Sequence, residues 1–278
     1  MVQRYGFLCT FALFYNAFIM KKPILLVLIY LGIQLGVGIL ENSIIVLYKL
    51  IFKVDLTPYN TQLLSASLVL SMAVMLIVLK HYHRLPMDRK RWSFVSWPYL
   101  LLTLVLALSF IPLMDGVSSL LKWMPDLLKG SFDNMSGGFF GIIAMTLIGP
   151  VFEEVLFRGA VTDMLLAHYS PAKAIFFSAL IFGVFHLNPA QIIPAMLGGL
   201  VLATLYYRTG SLVPGILVHI CINGSSVLFQ NFYKNADSLS DIMNGRAYVI
   251  VLIDAVFFFL AASYLLKRIT DKKINKPN

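Results

Sequence analysis

The chain has 278 residues, of which 59% are hydrophobic and only 13% are charged, and its mean hydropathy is +0.82. A soluble domain is nearer half apolar and a quarter charged, so this composition excludes a soluble enzyme of ordinary kind. The net charge of +9 suits a membrane protein with basic loops, and we expect no nucleic-acid partner. The two cysteines, Cys9 and Cys221, lie in apolar segments and imply no disulfide framework.

Eight apolar runs are each long enough to cross a bilayer as a helix. They cover residues 24–47, 61–79, 98–114, 139–168, 171–187, 190–207, 211–230 and 246–266. The sequence therefore predicts an all-α polytopic integral membrane bundle of eight transmembrane helices. Residues 5–20 are apolar but short, so they form either a ninth, marginal helix or a segment that the mature protein does not need.

The Lys and Arg residues between these runs are unevenly distributed. With eight spans, the Lys21–Lys22 pair, the loop at 80–97, Arg208 and the basic tail fall on one side of the membrane. The positive-inside rule makes that side cytoplasmic, so both termini are predicted to be cytoplasmic. The tryptophans among the basic residues of this loop suit interfacial anchors better than nucleic-acid contacts.

One stretch of the fourth run carries charges. Glu153, Glu154 and Arg158 lie close together, and an ionisable group at such depth costs on the order of 2.5–3.5 kcal/mol on insertion scales. Glu154 and Arg158 are i,i+4 with the carboxylate nearer the N-terminus, the favourable order for a helical ion pair. Neighbouring helical residues point about 100° apart, so Glu153 is predicted to face elsewhere. Without a local partner, Glu153 is the carboxylate available for chemistry.

Two later segments place polar side chains at helical spacing. Phe182 and His186 are i,i+4, as are His219 and Asn223, so each pair shares a helix face. A carboxylate beside imidazoles, or beside a metal that they bind, can take a proton from water. An amide N–H can stabilise the oxyanion that forms when water attacks a peptide carbonyl. If His186, His219 and Asn223 converge on Glu153, the set would suit hydrolysis of an amide bond inside the membrane.

Each part of this set also has a purely structural interpretation. The Glu-Glu-x-x-x-Arg stretch can be an ion-paired stripe, and a membrane histidine can be a helix–helix hydrogen bond. Their combination within apolar spans favours a functional site. Cys221 points away from the His219–Asn223 face and is interpreted as packing. Asp163 and Asp254 lie in apolar runs without an evident partner, and the sequence assigns them no role.

In chain order, the motifs Glu153-Glu154-x-x-x-Arg158, Phe182-x-x-x-His186 and His219-x-x-x-Asn223 resemble those of one family. This is the CAAX protease and bacteriocin-processing (CPBP, also called Abi) family of intramembrane proteases, which includes the type II CAAX prenyl endopeptidases. The stretch from Tyr206 to His219 is also similar to the family's approach to its last motif. The matching region covers about residues 140–230. One motif alone is a weak signal, whereas all three in order and at this spacing are specific.

The resemblance implies a role for each of these polar residues. Glu153 would activate the water, Glu154 and Arg158 would support it, His186 and His219 would complete the site, and Asn223 would stabilise the oxyanion. Zinc held by Glu153, His186 and His219 is one prediction, because two histidines and a glutamate are a common catalytic zinc set. A metal-free glutamate-type mechanism is the other, because the sequence has no His-Glu-x-x-His pair.

The resemblance also divides the chain. Residues 1–23 form an N-terminal segment that is dispensable or a marginal extra helix, and residues 24–135 form the N-terminal transmembrane helices. Residues 136–230 form the catalytic core, and residues 231–278 form the last transmembrane helix and a basic tail.

We therefore expect an intramembrane endopeptidase that cleaves a membrane-associated peptide or protein in a bacterial cytoplasmic membrane. Peptide maturation, bacteriocin processing or self-immunity are the functions that the resemblance implies. The alternative is a non-catalytic membrane scaffold or immunity protein that uses the same pocket for binding. A proton-coupled transporter is less favoured, because no pair of broken helices recurs in two halves of the chain. The expected partners are the substrate and the lipid bilayer, and the sequence carries no prediction of the oligomeric state.

Overall fold

The computed structural model describes residues 2–54, 56 and 59–274, and the side chains of residues 19–54, 56 and 59–271. The regular elements in this part of the chain are helical. Ten helices, named α1 to α10 in chain order, are Val2–Phe52, Asn60–His81, Trp97–Leu120, Lys129–Ser136, Phe139–Leu166, Pro171–Phe185, Pro189–Thr209, Val213–Phe232, Leu239–Ile242 and Gly245–Ile274. A short 3₁₀ turn, Arg89–Trp92, lies between α2 and α3.

Seven helices of the described residues are long and apolar enough to cross a membrane. They are α1 from Ile19 onward, α2, α3, α5, α7, α8 and α10 up to Asp271. The remaining apolar helix, α6, has 15 residues and is roughly 22 Å long, less than the hydrocarbon core of about 30 Å. The protein is an all-α polytopic membrane bundle. Each of the eight predicted runs corresponds to one of these helices, although the fifth is shorter than a full span.

Helix α1 continues without interruption from Val2 to Phe52 and passes through Pro23. Residues 2–23, expected to be a separate segment, are therefore continuous with the first span. The helix has 51 residues, a length of roughly 76 Å that exceeds twice the hydrocarbon core. The side chains of residues 1–18 lie outside the described part of the chain, and their dispensability stays a prediction.

The hydrophobic core of the bundle is built around α5. Leu156, Phe157 and Val161 of α5 are fully buried and belong to one cluster with Tyr30 of α1 and Met75 of α2. A second cluster joins α3, α7, α8 and α10. Cys221 packs against this second cluster, in agreement with its interpretation as a packing residue.

Helices α6 and α7 approach each other at two glycines. A Cβ on Gly183 would lie 2.6 Å from the carbonyl oxygen of Ile192, and one on Gly199 would lie 2.9 Å from Cα of Ala179. Because these neighbours are backbone atoms, only a residue without a side chain fits at either position. The close crossing fixes α6, which ends next to His186, against α7.

Helix α5 departs from regular α-helical geometry on both sides of its centre. Two π-helical segments, Ala144–Ile148 and Glu154–Thr162, flank the α-helical turn Gly149–Glu153. Such π-helical segments are rare and occur often at functional sites. The second segment contains Glu154 and Arg158, so the irregular backbone coincides with the charged stretch.

Candidate active site

Glu154 and Arg158 form a fully buried ion pair. Nη1 of Arg158 donates to Oε1 of Glu154 over 2.9 Å, and both side chains are 0% exposed. Nη2 of Arg158 donates to the carbonyl oxygen of Gly199 on α7 over 3.3 Å. The guanidinium also lies 4.4 Å from the centre of the Phe182 ring on α6. The pair expected from the i,i+4 spacing is present, and its arginine connects α5 to α6 and α7.

His219 on α8 lies between the two glutamates. Its Nδ1 is 2.9 Å from Oε1 of Glu154, and its Nε2 is 3.6 Å from Oε2 of Glu153. A carboxylate that is paired with Arg158 can only accept, so the imidazole hydrogen is on Nδ1. Glu153 and Glu154 approach different nitrogens of this ring. Both can contact one imidazole because the ring comes from another helix and has nitrogens on two sides.

Glu153 is the more accessible of the two carboxylates. Its side chain is 18% exposed, whereas that of Glu154 is completely buried. Within the described residues, Oε2 of Glu153 makes no hydrogen bond. The 3.6 Å to Nε2 of His219 is longer than a hydrogen bond. Glu153 thus has no cation of its own, as its place in the sequence predicts.

Phe182 contacts both histidines of the predicted site. The Phe182 ring is 4.9 Å from the His186 ring and 5.8 Å from the His219 ring, edge-on in both cases. Nδ1 of His186 lies 2.8 Å from the carbonyl oxygen of Phe182. A carbonyl only accepts, so Nδ1 carries the hydrogen and Nε2 is a free acceptor. His186 and Glu153 interact electrostatically, but no hydrogen bond joins them in the described part of the chain.

Asn223 is oriented by a contact with α5. Its Nδ2 donates to the carbonyl oxygen of Met145 over 3.1 Å, in the first π-helical segment. A carboxamide has two N–H groups, so one hydrogen is available for another acceptor. Asn223 lies one helical turn after His219, on the same face of α8.

Gly215 on α8 leaves space for the side chain of Glu154, which belongs to α5. A Cβ at Gly215 would lie 2.7 Å from Oε2 of Glu154, and this oxygen makes no hydrogen bond to the described residues. Gly215 is one turn before His219, so the glycine and the histidine both face α5. The sequence singled out neither this glycine nor its contact.

A second polar cluster, which the sequence did not predict, lies near the C-terminal end of α5. The two terminal nitrogens of Arg91 donate to the carboxylate of Asp163 over 2.9 and 2.8 Å. Arg91 also donates to the hydroxyl of Tyr206 on α7, and its carbonyl accepts from the N–H of Leu212, just before α8. Arg91 therefore connects α5, α7 and the start of α8. In the sequence, only the abundance of basic residues in the 80–97 loop indicated this cluster.

The residues predicted to bind zinc are of a suitable type. His186 and His219 each direct Nδ1 toward a protein oxygen and leave Nε2 free, the arrangement usual for metal-bound histidines. Oε2 of Glu153 adds an oxygen without a hydrogen-bond partner in the described residues. Among those residues, however, no three His, Cys, Asp or Glu side chains are grouped closely enough to hold a metal ion. Zinc therefore stays a prediction.

Residues 135–225 match the family model of the type II CAAX prenyl endopeptidases, Rce1-like. The match is consistent with the CAAX protease family. The matched segment contains all six predicted site residues, and the resemblance inferred from the three motifs is confirmed. No curated protein and no solved structure matches the chain. The first three helices and α10 lie entirely outside the matched segment.

Proposed function

We propose that the protein is an intramembrane endopeptidase that hydrolyses a peptide bond in a membrane-associated peptide or protein. Glu153 acts as the base that activates water. The observation that carries this proposal is the position of His219, which contacts buried Glu154 through Nδ1 and faces Glu153 through Nε2. The Glu154 carboxylate thereby orients the His219 imidazole, and the Glu153 carboxylate stays free to react.

The orientation of His219 defines where the water binds. The Glu154 carboxylate, neutralised by Arg158, accepts the Nδ1 hydrogen and leaves Nε2 as an acceptor. A water molecule that donates one hydrogen to Nε2 and the other to Glu153 directs its lone pair away from both. Glu153 removes a proton as this oxygen attacks the peptide carbonyl, and it later delivers that proton to the leaving amine.

Asn223 and His186 are proposed to hold the substrate at the reacting bond. The free N–H of the Asn223 carboxamide donates to the oxyanion that develops on the carbonyl oxygen. His186 has Nε2 free as an acceptor, so it can accept a hydrogen bond from a substrate N–H. Zinc, when bound, would be held by Glu153, His186 and His219 and would supply Lewis acidity.

The experiment replaces Glu153 by Gln, which retains the shape of the side chain and removes its basicity. Peptides released by cells that express each variant are compared by mass spectrometry. Glu41→Gln is the matched control, because Glu41 lies in α1 and contacts Ser67, outside the site. We expect the released peptides to disappear with Glu153→Gln and to persist with Glu41→Gln.

The same comparison tests the alternative function. A non-catalytic scaffold or immunity protein uses the pocket only for binding. Glu153→Gln should then change neither the peptides that the cells release nor the protective phenotype. That result would contradict the protease proposal. The identity of the lost peptides would distinguish peptide maturation from bacteriocin processing or self-immunity.

A further inference from the structure

Asp254 places a carboxylate at mid-depth of the last span. It stands roughly 13 Å along the axis of α10 from Gly245, where the apolar helix begins. Its side chain is exposed, and it makes no hydrogen bond or ion pair to any residue that the structure describes. This differs sharply from Glu154, which is buried against Arg158.

The surface around Asp254 is apolar and uncovered. We define the Asp254 face by Asp254 and its exposed neighbours Ile250, Ile253, Phe257 and Phe258. The opposite side of α10 packs against α3. The span of α10 is 17% buried, the lowest share among the seven spans in the described residues, and that of α5 is 44% buried. The face therefore has room for another helix along its length.

An aspartate at this depth has no means of reaching water by itself. Lys and Arg side chains can extend several ångströms to the interface, but the Asp side chain has only one methylene. Ionisable residues within membrane spans are rare and pair with one another or with polar groups. A carboxylate that faces lipid thus indicates a partner that the bundle does not provide.

The chemistry of that partner follows from the charges of the bundle. In the described part of the chain, the exposed Lys and Arg residues lie in loops, near helix ends or, for Lys21 and Lys22, where the membrane-spanning part of α1 begins, and the mid-depth Arg158 is buried in its own ion pair. A second copy of the chain would therefore bring no free cation to this depth. In a symmetric pair about α10 it would bring a second carboxylate.

We propose that the Asp254 face binds a transmembrane helix of another protein that carries a lysine or arginine at mid-bilayer depth. The cation neutralises Asp254, and the apolar side chains above and below it pack against the partner helix. This interaction is separate from the hydrolytic site and does not depend on the proposed peptidase activity.

The test uses the full-length protein with a donor fluorophore at its C-terminus, reconstituted in phosphatidylcholine–phosphatidylglycerol vesicles. The probes are two acceptor-labelled Leu/Ala-rich transmembrane peptides, identical except for a central lysine or a central leucine. Energy transfer between donor and acceptor measures the affinity. We expect the wild type to bind the lysine peptide about tenfold more tightly than the leucine peptide. Asp254→Asn should bind both peptides equally, and Asp254→Glu should retain the preference.

Three outcomes would overturn the proposal. One is equal affinity of the wild type for the two peptides, and another is a preference for lysine that persists in Asp254→Asn. The third is energy transfer between two labelled copies of the chain that disappears in Asp254→Asn, because the face would then bind a second copy. Thermal unfolding of each variant checks that this exposed substitution leaves the fold intact.

Discussion

The polar side chains at the centre of the bundle and those at its ends use the same chemistry in different surroundings. At the centre, Glu154 and Arg158 are 0% exposed. At the ends, Arg91 and Asp163 are 25% and 40% exposed, and Lys122 and Asp241 are 47% and 34% exposed. Breaking a buried pair costs about 3–5 kcal/mol because it leaves an uncompensated charge. An exposed pair contributes about 0.2–1 kcal/mol.

The difference in burial gives the central ion pair and the end ion pairs different roles. The central pair fixes Glu154, which in turn orients His219, so its loss should affect both folding and activity. The end pairs attach loops to helices, and water can replace their contacts. The following expectations test this separation, beginning with the largest effect.

Replacement of Arg158 by Met should cause the greatest loss of stability. Glu154 would be left buried without its cation, and we expect the free energy of unfolding to fall by about 3–5 kcal/mol. Thermal unfolding in detergent measures this loss. Arg158→Lys retains the charge but has no second nitrogen for Gly199, so it should be intermediate. A melting temperature of Arg158→Met equal to that of the wild type would contradict the importance of the pair.

Replacement of Gly215 by Ala should have the next largest effect. The new methyl group would meet Oε2 of Glu154 at 2.7 Å, and we expect a loss of about 1–3 kcal/mol together with reduced peptide hydrolysis. Gly224→Ala on the same helix is the matched control, because a Cβ there meets no atom within 4 Å. Equal behaviour of the two variants would show that α8 does not approach Glu154 closely.

Asp163→Asn removes the ion pair with Arg91 and should have a smaller effect. Because the pair is partly exposed, we expect a loss of about 0.2–1 kcal/mol. The loss should shrink as salt is added, since salt screens exposed charges. Unfolding at low and high ionic strength measures both quantities. A loss as large as that of Arg158→Met, unchanged by salt, would contradict the comparison.

Asp241→Asn should have the smallest effect, and one that depends on pH. The hydrogen bond from Lys122, followed by that from Ser238, lowers the pKa of Asp241 from 3.8 to about 2. Because the pKa is lowered by folding, the stabilisation is present above pH 4 and disappears as the pH falls toward 2. The melting temperatures of the wild type and Asp241→Asn should therefore converge over this range. A difference at pH 2 as large as the one above pH 4 would contradict this cause.

The sequence predicted the helices and the central ion pair for physical reasons. In lipid, the backbone must satisfy its hydrogen bonds within a helix, so long apolar runs predict spans. The i,i+4 spacing predicted the contact between Glu154 and Arg158, because it depends on one helix alone. The short α6 was also found as an apolar run, although its length was overestimated by two residues.

Contacts between distant helices were not predictable in the same way. His219 and Glu154 are 65 positions apart, and their contact depends on the close approach of α8 at Gly215. Arg91 and Asp163 are 72 positions apart, so the sequence left Asp163 without a partner. The π-helical segments of α5 also have no residue pattern that distinguishes them from an α-helix.

The central claim is that Glu153 activates water while Glu154 holds His219 in place. It is tested most directly by measuring hydrolysis and thermal unfolding in the same purified preparations of Glu153→Gln and Glu154→Gln. The substrate is a peptide identified by its release from wild-type cells, presented in vesicles. We expect Glu153→Gln to lose hydrolysis by about 10²-fold or more at an unchanged melting temperature, and Glu154→Gln to lose both. Hydrolysis by Glu153→Gln at the wild-type rate would contradict the claim.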